Sequence, residues 1–305
     1  MKNKSKLALF AFIPVTILCF FVRAVQYAYA VDLQTGFFKD DAGFLRYSTL
    51  LVLALGFVII VSLTILDKIK NSKAFVRKTD QFSPTYIKVF GFLLLISAAT
   101  IGIKLPEAIS GGRKMYPLFA AMLFGTIILA ATGIYALAKK RFDRYFALLL
   151  SGVAIYVALR AGMLFLSLMV VSSVSQYVLE ILSRVSIVYF LFSFGRIILN
   201  AERKFTRALT VISGLFSSLL IFTTELGAFA AIFFTDLSQA DLIASPNAEN
   251  LFMGVFELFA VIMLYCSPLL KIVETTSGVK ATIQNTEDDL TEGLPDIDDK
   301  IDNEV

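Results

Sequence analysis

Eight long apolar stretches run through this sequence, parted by short polar loops, and Lys and Arg gather in every second loop. A stretch of roughly 20 apolar residues is what a helix needs to cross a hydrocarbon core of about 30 Å. Within lipid the backbone must satisfy its own hydrogen bonds, so each such stretch is expected to be helical. The pattern predicts an all-α fold, a polytopic transmembrane helix bundle of about eight spans. They are expected at 7–30, 47–66, 86–103, 115–138, 145–170, 180–199, 208–234 and 251–270. Composition points the same way. Of the 305 residues, 57% are hydrophobic and 17% charged, where a soluble domain would carry about 25% charged residues.

The basic residues set an orientation. Lys2, Lys4, Lys6, Lys68, Lys70, Lys73, Arg77, Lys78, Lys139, Lys140, Arg141, Arg144, Arg203, Lys204 and Arg207 flank the spans on one side. Only Lys39, Arg46, Lys104, Arg113 and Lys114 flank them on the other, together with an acidic loop at 235–250. Cytoplasmic loops carry the excess of Lys and Arg, so both termini are expected inside, N-in/C-in. Lys2–Lys6 followed by an apolar run also fits a cleaved signal peptide ending at Ala28-Tyr29-Ala30. Arg23 and Gln26 fall between the run and that site, which favours a retained first span.

Residues 1–270 read as the transmembrane helical domain, with a net charge of +11, and 271–305 as a separate acidic tail with a net charge of −7. The tail is poor in large apolar residues, so it is expected to be disordered in the cytoplasm. There it would be a solvated tail, a docking peptide for a cytoplasmic protein, or a strip lying on the basic loops.

The residue types present narrow the chemistry. The chain has no His, which removes the usual general base and metal ligand. Cys19 and Cys266 stand apart, without a CxxC pair. Asp67 and Asp143 are expected in loops, so no two-aspartate intramembrane site forms, and no phosphate-binding glycine loop is present. No enzymatic constellation, cofactor, metal or nucleic-acid site is expected.

Charges inside spans are costly, about 2.5–3.5 kcal/mol each at mid-membrane on insertion scales, and call for a reason. At about 1.5 Å per residue, Arg23 lies about 24 Å into the first span, Arg160 about 22 Å into the fifth and Glu225 about 25 Å into the seventh. Counted from the outer side, Glu257 lies about 9 Å into the last span and Arg184 about 6 Å into the sixth. Glu180 precedes Arg184 by four residues, the spacing of a local ion pair. The remaining charges, Arg23, Arg160, Glu225 and Glu257, balance in sign. With Gln26 and Tyr156 they form a candidate intramembrane layer in the outer half of the bilayer. On the fifth span, Tyr156 and Arg160 share a face, while Ala154, Ala158 and Gly162 form a small-residue strip expected to pack on a neighbour.

Around the first loop, Arg23, Gln26, Asp32 and Thr35-Gly36-Phe37-Phe38 carry a resemblance. Over residues 20–40 the chain resembles uncharacterised multi-pass membrane proteins of low-GC Gram-positive bacteria. The resemblance implies a bacterial cytoplasmic (inner) membrane and brings no activity with it.

Two readings follow. In the first, the protein is permease- or carrier-like: Arg23 and Arg160 bind a small anionic ligand in an outward-facing charged cavity, with Glu225 and Glu257 as counter-charges or proton sites. In the second, it is a membrane scaffold or sensor that acts through the acidic tail, and the charge layer only holds the helices together. The lipid bilayer is a partner in both.

Overall fold

The computed structural model describes residues 6–31, 38–40, 42–70, 84–110, 116–139, 142–168, 175–199, 201, 205–235 and 247–266. They are helical almost throughout: α1 (Leu7–Tyr29), α2 (Leu45–Lys70), α3 (Pro84–Ser110), α4 (Tyr116–Lys139), α5 (Arg144–Leu168), α6 (Ser175–Ile198), α7 (Thr206–Ile221), α8 (Gly227–Thr235) and α9 (Ala248–Cys266). A π-helical turn, Phe222–Leu226, joins α7 to α8 without a break. The result is eight helices long and apolar enough to cross a membrane. The tail expected over 271–305 and most of the first loop (32–37) lie outside the described residues.

Several helices outrun the apolar stretches that mark them. α3 continues through Lys104 and Pro106 to Ser110, α6 starts at Ser175, and α9 starts at Ala248. Hydropathy ends where a helix stops facing hydrocarbon, whereas backbone hydrogen bonding carries on into the polar interface. Asp67 corrects the sequence reading more sharply. It is not a loop residue but part of α2, 0% exposed. Its Oδ1 accepts the Leu7 N–H at 3.1 Å, and its Oδ2 accepts the Ala8 N–H at 3.1 Å and the Tyr265 hydroxyl at 3.3 Å. The first amides of a helix have no intrahelical acceptor, and a carboxylate borrowed from α2 serves them here. Asp143 does lie between helices, where it caps α5 through the Phe146 N–H and accepts the Tyr135 hydroxyl.

The contacts of α1 with α2 define two ends of the bundle. The start of α1 meets Asp67, and its far end meets Leu45 and Arg46 through Gln26, so the two run antiparallel. The α7–α8 span is the most enclosed: 78% of its apolar window is buried, against 28% for α1 and for α2. It touches α1, α2, α6 and α9, while α3, α4, α5 and α6 pack in sequence and α3 closes against α9. A central helix has no lipid face to keep apolar, and α7 accordingly carries buried Thr206, Thr210, Ser213, Ser217 and Ser218. α3 and α4 cross through Gly91 and Gly133, where a Cβ on either would lie 2.8 Å from the other's carbonyl oxygen. Toward the Asp67 end, the largely aliphatic core holds a cluster of phenylalanines. Phe90, Phe142, Phe146, Phe194 and Phe256 stack around one another, Phe90 to Phe256 at 4.1 Å. Lipid-directed faces carry Phe10, Phe92, Ile127 and Leu148, all largely exposed.

Replacing Asp67 by Ala is expected to destabilise the bundle by about 1–2 kcal/mol through loss of the α1 cap. Asp67→Asn, which keeps one acceptor oxygen, should lose less. Thermal unfolding in a fixed detergent reads both.

Candidate functional site

The polar layer forms at the end of the bundle opposite Asp67, and the π turn is at its centre. Hydroxyls of the turn fold back on the helix: Thr223 donates to Leu219 O, and Thr224 lies within hydrogen-bond distance of Leu220 O and Ile221 O. π turns inside α-helices are often found at functional sites. This one presents Glu225, 4% exposed. Glu225 Oε2 accepts the Asn247 N–H at 2.6 Å, and Oε1 accepts the Asn250 side-chain amide at 2.8 Å. Asn247 in turn caps α9, its Oδ1 accepting the Glu249 N–H at 3.2 Å and the Lys104 ammonium at 3.1 Å.

Glu180 and Arg184 pair at 2.7 Å on α6, and the pair is not isolated. Asn250 also reaches Glu180 at 3.4 Å, so one side chain links the acids of α6 and the π turn. On α5, Tyr156 is 1% exposed and donates its hydroxyl to Glu249 at 2.5 Å. Arg160 and Arg184 lie within electrostatic range of that hydroxyl. Arg160 is half-buried, and its Nε has no hydrogen-bond partner among the described residues.

Arg23 approaches from α1. It is 1% exposed, crosses the π turn's flank where Gly227 leaves room for it, and donates to Gln26 Oε1 and, at 3.2 Å, to the Tyr27 hydroxyl. Its guanidinium lies 4.3 Å from the centre of the Tyr27 ring. Gln26 is held by α2: its amide donates to Leu45 O and Arg46 O, and its oxygen accepts the Thr49 hydroxyl at 2.7 Å. Beside this group opens a cavity of about 300 Å³, lined by Arg23, Gln26, Arg46 and Thr49 and by apolar side chains of α2 and α6.

The residues singled out from sequence are therefore divided. Arg23, Gln26, Tyr156, Arg160 and Glu225 fall at one end of the bundle, and Glu180–Arg184 joins them. Glu257 does not: it sits deeper, against Ser217 of α7. α9 begins at Ala248, which puts Glu257 at the middle of its apolar window, Ala248–Tyr265. The small-residue strip on α5 also reads differently. Ala158 and Gly162 are exposed, and nothing lies within 4 Å of a Cβ placed on Gly162. α5 packs through Tyr156 itself, whose ring fills the space above Gly125 of α4. Three members of the layer, Asn247, Glu249 and Asn250, were missed because they fall in the segment read as an acidic loop. The signal was present: an Asn followed by an acid in the next turn is a helix N-terminus.

Eight spanning helices with a polar layer at one end define a multi-pass membrane protein. The chain matches no protein-family model, no curated protein and no solved structure. Among the described residues no group of three or more His, Cys, Asp or Glu could hold a metal ion.

Glu225 faces two donors and can serve them only as an acceptor. Glu225→Gln turns an amide N–H toward one of them and is expected to destabilise the bundle by about 1–3 kcal/mol. Asn250→Leu, which strips the donor from both Glu180 and Glu225, should cost at least as much in the same unfolding measurement.

Proposed function

We propose that the protein is a permease or carrier of a bacterial cytoplasmic membrane, with both termini inside, that takes a small anion into the cavity beside Arg23. The cavity is the observation that carries this reading. Its volume of about 300 Å³ is at the lower end of small-molecule sites. Two arginines border it, and guanidinium groups suit carboxylate and phosphate. Arg46 is exposed at the mouth, 5.4 Å above the Phe38 ring, while Arg23 is buried at the wall. The fifteen basic residues flanking the opposite side, against five on this one, support a cavity that opens outward.

A second reading has its own observation. The Glu180–Arg184–Asn250–Glu225 network joins three spans by direct side-chain bonds, as a fastening between helices would, and that favours a scaffold or sensor acting through the acidic tail.

Thiol labelling and uptake separate the two. In a Cys19→Ser, Cys266→Ser background, a cysteine replacing Thr49 should react in intact cells with a membrane-impermeant thiol reagent. Proteoliposomes should take up at least one anion from a panel of small carboxylates and phosphates, and Arg46→Gln should weaken that uptake several-fold. Truncation after Lys271 should leave uptake intact. A protected Thr49 position, no uptake, and a cellular phenotype lost with the tail would instead establish the scaffold.

A further inference from the structure

Glu257 is left over from the polar layer, and its surroundings differ from those of every other acid described. It is the tenth residue of the apolar window Ala248–Tyr265 and is 0% exposed. Its Oε2 meets the Ser217 hydroxyl, while Oε1 has no hydrogen-bond partner among the described residues. No ion pair to it occurs among them either.

The other titratable groups are engaged or turned away. On α3, Lys88 is exposed, Tyr86 packs on Phe259 at 5.8 Å, and Lys104 is bonded to Asn247. On α7, Arg207 precedes Ser217 by ten residues, about 15 Å along the axis. Glu225 on the π turn is held by Asn247 and Asn250. On α6, Arg184 pairs with Glu180, while Tyr189 and Arg196 are exposed. On α9 itself, Glu249 and Tyr265 are each eight residues away, about 12 Å. They are bonded to Tyr156 and Asp67. A carboxylate buried without a counter-charge is driven to its neutral form.

The hydroxyl beside it makes this reversible. Ser217 Oγ also lies 2.8 Å from Ser213 O, yet a serine has one hydrogen to donate. If Ser217 donates to Ser213 O, its contact with Glu257 requires the proton on the carboxyl. If Glu257 is ionised, Ser217 turns to it and leaves the carbonyl. The two arrangements differ by one proton and need no movement of the backbone.

We propose that Glu257, with Ser217, is a proton-binding site in the middle of the membrane. This does not depend on the anion cavity. Intramembrane carboxyls with this burial are a recurring element of proton relays.

The test is infrared spectroscopy of the full-length protein in lipid vesicles. A band of a protonated carboxylic acid, shifted in deuterium oxide, should be present in mildly acidic buffer and fall several-fold in mildly alkaline buffer. Glu257→Gln should remove the band without lowering the unfolding temperature, because the amide copies the neutral acid in shape. Should Glu257→Gln fail to fold, dicyclohexylcarbodiimide supplies the assignment: it reacts with protonated carboxyls in apolar surroundings, and its adduct at Glu257, located by peptide mass spectrometry, should remove the same band. A band that is absent at every pH, that ignores pH, or that belongs to another residue overturns the proposal.

Discussion

In hydrocarbon the backbone must satisfy its own hydrogen bonds and each buried charge is costly, and the layout of this bundle follows from that constraint. Glu225 shows it most directly. A carboxylate on the seventh span is met by the backbone of Asn247 and the side chain of Asn250. Both come from the start of the eighth span, and Asn250 also touches Glu180 on the sixth. One acid thereby fixes the relative height of three spans. In the π turn that presents Glu225, Thr223 and Thr224 turn their hydroxyls back to the helix's own carbonyls.

The opposite end solves the same problem with Asp67. Two amides of α1 and the hydroxyl of Tyr265 converge on one carboxylate, so the first, second and last spans are tied at a single point. Between the two fastenings lies an apolar core, where packing carries the load. Glu257 stands in that middle zone with one hydroxyl for company, which is why it alone among these acids is suited to holding a proton rather than a helix.

How far the site could be read from sequence depended on where each residue fell relative to its helix end. Arg23, Gln26, Arg160 and Glu225 interrupt apolar runs and announce themselves. Glu249 and Asn250 do not, because they sit just before an apolar run, and a hydropathy boundary there is indifferent to a helix that starts one turn earlier. That same one-turn shift moved Glu257 from the outer layer to mid-membrane. The Ala154–Ala158–Gly162 strip misled for a different reason: small residues permit close packing but do not oblige a neighbour to be there.

Runs of about 20 apolar residues leave the backbone no alternative to spanning helices, so the class of fold is written along the chain. So are the spans that carry Arg23, Arg160, Arg184, Glu225 and Glu257, though not the place of Asp67 in α2. Which charges meet depends on how the helices pack. Helix rotation and register are set by side-chain packing between distant segments, as where the Tyr156 ring settles over Gly125. A pattern along one segment holds no information about the face that its neighbour presents.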